Sequence, residues 1–280
     1  MSFLTSPGTN GVRAAAKERR PITVPEFSAA KGRGMRLTVL TAYDYTMGRL
    51  LDQAGVDAIL VGDSLGMVVQ GEPNSLRVTL DEMIYHTRLV ARGVQHSLLI
   101  TDMPFMSYQI SPQHALESAG RLIKEGGAHA VKLEGGQRSA AAIAAIVNAD
   151  IPVMGHIGLT PQSIHAVGGF RVQRDASRLL DDARAIEQAG AFAVVVECVP
   201  ADIAEQISAA LKVPTIGIGA GSGCDGQILV THDMLGLFSD IRLRFVKQYA
   251  DVGSTILTAV EQYCREVREG RFPGPEHAFR

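Results

Sequence analysis

Four acidic residues each stand where an apolar, strand-like segment gives way to a loop. Asp63 follows AILVG, Asp102 follows LLIT, Glu134 follows AVKL and Glu197 follows AVVV. A carboxylate at the end of a buried strand is costly unless a cation or hydrogen bonds compensate for its charge. In a barrel of parallel strands, that end is where active sites are built. The four carboxylates are therefore predicted to converge on one site.

Asp63 and Asp102 are the predicted metal pair. Mg²⁺ takes one or two protein carboxylates and completes its shell with waters and substrate oxygens. The alternative is that Asp63 caps the following turn and that Asp102 sets a turn before Pro104. Matching positions at two strand ends favour the metal interpretation.

Lys132 and Glu134 are two residues apart on one strand, so their side chains point to the same side. In a barrel mouth of low dielectric constant they would stabilise each other. The lysine could also offset the charge of a substrate carboxylate or of a developing enolate. The alternative is a plain structural ion pair.

Glu197 and His156 are the candidate proton-transfer groups. A glutamate at a dry strand end suits a general base or acid, although it could instead lie at the start of the helix predicted over 201–210 and interact with its dipole. His156 ends the fifth predicted strand. It could donate to an oxyanion or contact a substrate, or it could be a satisfied structural residue.

Other chemical signatures are weak or absent from the sequence. The segment GIGAGSGCDG (217–226) contains a GxGxxG pattern, but no clear amphipathic helix follows it, which disfavours dinucleotide binding. A loop that approaches a ligand closely and a set of tight turns both remain open. The sequence has no HExxH or Walker motif, which argues against zinc-protease and NTPase chemistry.

Composition is typical of a soluble globular protein and gives no sign of a nucleic-acid or membrane partner. The 280 residues carry a formal net charge of −2, so a nucleic-acid partner is not expected. No apolar run is long enough to span a bilayer, and the N-terminus has no apolar signal core, so no membrane association or secretion is expected. The three cysteines lack metal or redox-pair spacing, which fits a reducing cytoplasm.

The pattern of elements predicts one α/β domain. Residues 1–33 show no periodicity and are predicted to form a mobile N-terminal arm, and residues 34–280 a single (β/α)8 barrel. A doubly wound open sheet is the alternative, but it would need a glycine fingerprint after its first strand. The predicted strands span 37–41, 57–62, 98–101, 128–133, 151–156, 192–197, 214–218 and 227–230. The predicted helices span 45–54, 79–92, 112–125, 138–148, 176–189, 201–210 and 250–268.

At these positions the sequence resembles the 3-methyl-2-oxobutanoate (ketopantoate) hydroxymethyltransferase family. The resemblance runs from about residue 35 to about residue 253 and keeps the motif order. The motifs that carry it are LTAYDY (40–45), VGDSLGMVVQG (61–71), TDMPFMSY (101–108), VKLEGG (131–136), GHIGLTPQS (155–163), ECVP (197–200) and GIGAGSGCDGQILV (217–230).

The resemblance implies a (β/α)8 TIM barrel of the phosphoenolpyruvate/pyruvate type that binds Mg²⁺. It implies transfer of a hydroxymethyl group from 5,10-methylenetetrahydrofolate to 3-methyl-2-oxobutanoate through a Mg-stabilised enolate, giving 2-dehydropantoate for pantothenate and coenzyme A biosynthesis. It also implies a homo-oligomer, typically a decamer.

The same resemblance implies roles for individual residues. Asp63 and Asp102 would bind the metal and, through it, the substrate. Glu134 would belong to the metal site, in part through water. Ser64 and Lys132 would contact the oxo acid, and Glu197 would accept the proton.

The resemblance has one departure, and two other functions compete with it. After GGFRVQ the family usually continues with a glycine, whereas Gln173 is followed here by Arg174. A lyase or mutase of the same superfamily would act on a 2-oxo acid without a folate donor. A binding protein without catalytic activity would retain buried carboxylates at a cost in stability and without a catalytic gain.

Overall fold

The computed structural model describes residues 19–238 and 243–279, and within them eight parallel strands close into one barrel. Each strand pairs with the next, and the eighth pairs with the first. The (β/α)8 prediction is confirmed, and the open-sheet alternative is excluded because a closed barrel has no edge strand. The strands are Leu37–Thr41 (β1), Ala58–Val61 (β2), Leu98–Asp102 (β3), Ala130–Glu134 (β4), Val153–Gly158 (β5), Ala193–Glu197 (β6), Thr215–Ile218 (β7) and Gly226–Leu229 (β8).

Helices follow the strands along the chain, except that residues 219–225 join β7 to β8 without a helix. The predicted helices are all present within two or three residues of their predicted ends. The segment 112–125 continues past its α-helix as a π-helical turn at Leu122–Gly126. The α-helices are Val24–Ala29 (α1), Tyr45–Ala54 (α2), Leu65–Val68 (α3), Leu80–Ala91 (α4), Pro112–Arg121 (α5), Ala140–Val147 (α6), Ile164–Val167 (α7), Ala176–Gln188 (α8), Ala201–Ala210 (α9), Thr231–Met234 (α10) and Val252–Arg268 (α11).

The strands are apolar along nearly their whole length because both of their faces are covered. Leu60, Ile100 and Val195 belong to the apolar cluster that includes Leu37 and Phe27, whereas Ile59 and Leu99 belong to the cluster that packs against the helices. Polar residues enter this core at the carboxyl ends of the strands, where the candidate site lies.

Local capping interactions define several of these helix ends. The hydroxyl of Thr79 accepts the backbone N–H of Glu82, and the Glu82 carboxylate accepts the backbone N–H of Thr79 at 2.7 Å, which completes the capping box. Gly55, Gly127 and Gly190 follow helices with positive φ angles, a conformation that glycine adopts without steric cost.

The N-terminal segment differs from the prediction of a mobile arm over residues 19–33. Residues 24–29 form α1, and Phe27 is buried in the apolar cluster that includes Leu37, with its ring edge-on to Phe192. Lys31 pairs with Asp225 at 3.1 Å. A short helix with a single buried aromatic side chain has too little periodicity to be recognised from the sequence. Residues 1–18 lie outside the described part, so for them the arm stays a prediction.

Helix α11 contains no buried residue and exposes Ile256, Leu257 and Val260. Across residues 19–238 and 243–279, no helix combines the length and the apolar character that a bilayer span requires.

One buried acid fastens α2 to the segment before β3. The carboxylate of Asp52 accepts the backbone N–H groups of His96 (3.0 Å) and Ser97 (2.7 Å) and lies 3.0 Å from the His96 ring. Burial alone would raise the pKa of Asp52, but these hydrogen bonds outweigh it and lower that pKa to about 2.

We expect Asp52→Asn to lower the free energy of unfolding at pH 7 by about 2 kcal/mol. Because the folded-state pKa is lowered, the ionised carboxylate stabilises the fold above the unfolded pKa of about 4, and this contribution is lost as the pH falls toward 2. Urea unfolding of wild type and variant at pH 7 and pH 3 measures the difference. Asp81→Asn is the control, because its side chain is 79% exposed and pairs only with Arg121. Equal stability of Asp52→Asn and wild type at pH 7 would contradict this account.

Candidate active site

The closed barrel brings all the predicted site residues to one cavity. Parallel strands point the same way, so their carboxyl ends meet at one mouth. The cavity there has a volume of about 410 Å³, and all seven residues line it. The predicted convergence is therefore confirmed, whereas the individual roles stay predictions. The seven residues are Asp63, Ser64, Asp102, Lys132, Glu134, His156 and Glu197.

Asp63 and Asp102 lie side by side at the ends of β2 and β3. The backbone N–H of Asp63 donates to Asp102 Oδ2 at 3.1 Å, and both side chains are almost completely buried. Burial, with the charges of Asp102 and Glu134, raises the pKa of Asp63 to about 7. Burial also raises the pKa of Asp102, against the opposing effect of Lys132. Two buried carboxylates with raised pKa values indicate a site that lacks enough positive charge of its own.

The prediction that Lys132 and Glu134 face the same side is confirmed, but the nearest acid to Lys132 is Asp102. Strand register explains this, because Asp102 and Lys132 are direct neighbours across β3 and β4. Lys132 Nζ lies 2.5 Å from Asp102 Oδ1. Burial would lower the pKa of Lys132, but Asp102 and Glu134 outweigh it and hold that pKa above its ordinary value, so the ammonium stays charged.

His156 lies between the two glutamates. Its Nδ1 is 3.6 Å from Glu134 Oε1, and its Nε2 is 3.2 Å from Glu197 Oε2, although Nε2 is not aligned for a hydrogen bond. Burial and Lys132 act to lower the pKa of His156, but the two carboxylates outweigh them and raise it to about 9. His156 thus contacts both glutamates and lines the cavity, and its role in the reaction stays a prediction.

Glu197 extends into the cavity. Helix α9 begins at Ala201 with Pro200 as its N-cap and has no side-chain cap. The alternative was that Glu197 lies at the start of this helix and interacts with its dipole. The structure does not support it, because the carboxylate pairs with His156. The neighbouring Cys198 thiol has a pKa of about 12, raised by burial and by Glu197, so it stays protonated and is a poor nucleophile.

Gln162 is a site residue that the sequence interpretation missed. Its Nε2 donates to Asp63 Oδ2 and to the Met103 carbonyl, both at 3.0 Å, and its Oε1 accepts from Tyr108 Oη at 2.7 Å. Its backbone N–H donates to Glu134 Oε2 at 3.0 Å. Gln162 thus fixes two of the four carboxylates. The only sequence signal was its place in the GHIGLTPQS motif, because a glutamine in a loop has no distinctive spacing.

Ser64 follows Asp63 and begins the turn into α3. Its hydroxyl lies 2.9 Å from the Tyr43 hydroxyl. Tyr43 is buried, and its pKa lies above its ordinary value because burial disfavours the phenolate. A neutral Tyr43 can therefore donate to Ser64 and orient its hydroxyl at the cavity wall.

The glycine-dense segment 217–226 has packing reasons for its glycines. Gly219 and Gly221 have φ angles of +62° and +75°. A Cβ on Gly219 would lie 3.0 Å from the Phe245 ring, and one on Gly221 would clash with Ala201. These glycines allow the loop to lie against Phe245 and α9, as expected for tight turns.

The donor set at the floor fits a divalent cation. The formal negative charges of the four carboxylates exceed the positive charges of Lys132 and protonated His156 by two. Within the described ranges, no three Asp, Glu, His or Cys side chains form a ready-made metal cluster. Mg²⁺ does not require one, since it binds through one or two carboxylates with waters and substrate oxygens. Glu134 already accepts from Gln162 and faces His156, so it suits an outer position.

A family model described as ketopantoate hydroxymethyltransferase matches residues 21–275 of the chain. The chain is 58% identical over 262 residues to the 3-methyl-2-oxobutanoate hydroxymethyltransferase of Clostridium novyi, covering 92% of this chain and 95% of that protein. It is 56% identical over 267 residues to the protein of the same name from Moorella thermoacetica, covering 94% and 99%.

Solved structures with the same barrel are much less similar in sequence. A phosphonopyruvate hydrolase in complex with oxalate and Mg²⁺ aligns with a TM-score of 0.60 at 17% identity, covering 90% of this chain and 89% of that one. A 2,3-dimethylmalate lyase of the PEP mutase/isocitrate lyase superfamily aligns with a TM-score of 0.59 at 17% identity, covering 91% of both chains. These likenesses show the fold alone, an eight-stranded parallel barrel.

We expect Gln162→Met to lower the free energy of unfolding by about 2 kcal/mol or more, because it leaves buried partners such as the Met103 carbonyl and Asp63 Oδ2 without a hydrogen bond. Urea unfolding measures the change. Gln109→Met is the matched control, since Gln109 is exposed; its side chain donates to Gln162 Oε1 at 3.1 Å and accepts the backbone N–H of Tyr108 at 3.3 Å. Equal stability of the two variants would contradict the assigned bridging role.

Proposed function

The chain belongs to the ketopantoate hydroxymethyltransferase family, and from this premise we propose how its cavity carries out the reaction. The enzyme transfers a hydroxymethyl group to 3-methyl-2-oxobutanoate to form 2-dehydropantoate. The donor is 5,10-methylenetetrahydrofolate. The observation that carries the proposal is the buried cluster of four carboxylates, Lys132 and His156, on a chain more than half identical to relatives of that name along nearly its whole length.

Asp63 and Asp102 would hold Mg²⁺ at the floor of the cavity. When bound, Mg²⁺ acts as a Lewis acid on the keto group of the oxo acid and lowers the cost of removing the neighbouring C3 proton. The charge imbalance of the cluster supports this assignment, and Gln162 supports it by fixing the orientation of Asp63. Glu134 would hold waters of the site rather than bind the metal directly.

Glu197 is the proposed proton acceptor. It is the most exposed of the four carboxylates, with 16% of its side chain accessible, and it lines the cavity. A charged His156 beside it, 3.2 Å away, holds the carboxylate in place. Glu197 takes the C3 proton and leaves the electron pair on the substrate, and a base placed in this way contributes roughly 10²- to 10⁴-fold to the rate.

Lys132 and Ser64 would bind the oxo acid. The ammonium of Lys132 is charged, buried and held by Asp102, so it offers a fixed positive charge to the substrate carboxylate. Ser64, oriented by Tyr43, offers a hydroxyl donor from the adjacent strand end. Together they would fix the plane of the acid with its C3 carbon toward Glu197.

The overall transfer balances with one water. The C3–H bond of the acid and the two C–N bonds that hold the one-carbon unit on the folate break, and C3 forms a new bond to that carbon. Water supplies the hydroxyl oxygen, and both folate nitrogens end as N–H. The folate requirement separates this reaction from that of a lyase or mutase, which would turn over without the donor. The protonated Cys198 thiol also gives no support to a mechanism that needs a reactive cysteine.

We further infer that the protein is a cytoplasmic homo-oligomer, and the family resemblance suggests a decamer. The free cysteines Cys198, Cys224 and Cys264 fit a reducing compartment. The exposed apolar residues of α11 fit self-association.

We expect Glu197→Gln to slow the exchange of the C3 proton of 3-methyl-2-oxobutanoate with D₂O by roughly 10²- to 10⁴-fold, because the amide cannot accept the proton. Proton NMR with Mg²⁺ and no folate measures this exchange. The affinity for the acid should change little. Glu205→Gln, an exposed change on α9, is the control. Unchanged exchange in Glu197→Gln would remove Glu197 as the base.

We expect Asp102→Asn to weaken Mg²⁺ binding at least about tenfold, since one of two carboxylate ligands is lost while its shape is kept. Isothermal titration calorimetry with MgCl₂ measures the affinity directly, and circular dichroism checks the fold. Asp233→Asn is the control, because Asp233 lines the same cavity but has no ion pair with the cluster among the described residues. Equal affinities of Asp102→Asn and wild type would reassign the metal site.

A further inference from the structure

The cavity has two chemically different ends. Its floor holds the acidic cluster, whereas the rest of its lining includes the apolar side chains of Met67, Val68, Phe170, Val172 and Phe245. Phe170 is 51% exposed and Val172 is 49% exposed. A five-carbon oxo acid bound at the floor does not account for exposed aromatic and aliphatic surface at the entrance. Such surface at the mouth of a pocket indicates a ligand with an apolar, flat portion.

The segment that carries Phe170 is fastened to the catalytic end of β6. Gly168 and Gly169 have φ angles of +71° and +110°, which let the chain turn sharply before Phe170. The backbone N–H of Gln173 donates to the carbonyl of Cys198, next to Glu197, at 2.9 Å. Phe170, Arg171 and Val172 are therefore held over the cavity beside the proposed base.

Internal hydrogen bonds fix this segment further. Gln173 Nε2 donates to the Arg171 carbonyl at 2.9 Å, and Arg178 donates to Gln173 Oε1 at 2.9 Å. Asp175 then caps α8. The segment thus closes without the glycine that the family usually has after Gln173, because the Gln173 side chain and the Asp175 cap make its turn.

Arg171 supplies a positive charge at the entrance. It lines the cavity, and within residues 19–238 and 243–279 it forms no ion pair with an acidic side chain. At the floor, Lys132 already pairs with Asp102 and His156 already pairs with Glu197. The remaining negative charge there suits a metal cation. A cation at the outer rim, beside an exposed phenyl ring, suits a ligand that is aromatic near the reacting centre and anionic at its far end.

We propose that Phe170, Arg171 and Val172 form the binding site for the folate donor. Phe170 and Val172 pack against the flat pterin and aminobenzoyl rings, and Arg171 pairs with the glutamyl carboxylate that extends outward. Phe245, packed on Gly219, supplies apolar surface elsewhere in the lining. This inference rests on the proposed function, since it names the part of the same cavity that binds the second substrate.

Steady-state kinetics with two donors tests the proposal. One donor is 5,10-methylenetetrahydrofolate, and the other is 5,10-methylenetetrahydropteroate, which lacks the glutamate. Phe170→Ala should raise KM for both donors about tenfold, because both carry the rings. Arg171→Gln should raise KM about fivefold for the glutamate-bearing donor only. Arg171→Lys, which keeps the charge, should recover most of that loss.

Matched controls come from side chains of the same kind outside the cavity lining. Phe105→Ala changes an exposed phenyl ring on the loop after β3, and Arg174→Gln changes an exposed arginine three residues from Arg171. Both should keep wild-type KM values for both donors. The KM for 3-methyl-2-oxobutanoate should stay within about twofold in all these variants, since the acid binds at the floor.

The outcomes separate the inference from the function on which it rests. Exchange of the C3 proton with D₂O needs no folate, so exchange and transfer by wild type test the function alone. If wild type performs both but Phe170→Ala and Arg171→Gln keep wild-type donor KM values, the folate site is overturned. If Arg171→Gln raises KM equally for both donors, the pairing with the glutamyl carboxylate is overturned.

Discussion

An excess of negative charge in a buried pocket is the constraint on which this site depends. Asp63, Asp102, Glu134 and Glu197 surround a single lysine and a single histidine. Isolated ionised carboxylates are expensive to bury, and the raised pKa of Asp63 expresses that cost. Lys132 and His156 offset half of the charge. The remainder equals the charge of one divalent cation, and this imbalance is what supports the proposed metal site.

The barrel makes this arrangement possible because it fixes strand ends more firmly than loops could. Register across β3 and β4 places Lys132 beside Asp102, and register across β4 and β5 places Glu134 beside His156. The pairing of charges thus follows from backbone hydrogen bonds that span the whole sheet. Gln162 lies in a turn after β5 and is held by Tyr108. It adds hydrogen bonds to Asp63 and Glu134. Because these side chains are already fixed by the sheet, little reorganisation is needed when substrate binds. This is the condition for preorganised electrostatic catalysis.

Much of this fold and site could be predicted from the sequence, and the failures have physical causes. Continuous apolar runs predicted the strands. Acidic residues at the ends of these runs, such as Asp102 and Glu134, predicted the position of the site, because a buried carboxylate is costly without a function. Pairings across strands could not be predicted, since register depends on tertiary structure; Lys132 was matched with Glu134 rather than Asp102. Gln162 and α1 were missed because a loop amide and a single buried aromatic residue, Phe27, leave no periodic signal.

The account rests most directly on a cation held between Asp63 and Asp102 and shared with the oxo acid. Mn²⁺ replaces Mg²⁺ at oxygen-ligand sites and scatters anomalously. An anomalous difference map from crystals grown with Mn²⁺ and 3-methyl-2-oxobutanoate measures the position. The account predicts one peak bonded to carboxylate oxygens of Asp63 and Asp102 and to two oxygens of the acid, with C3 facing Glu197. A peak elsewhere, or an acid bound away from these two residues, would contradict it.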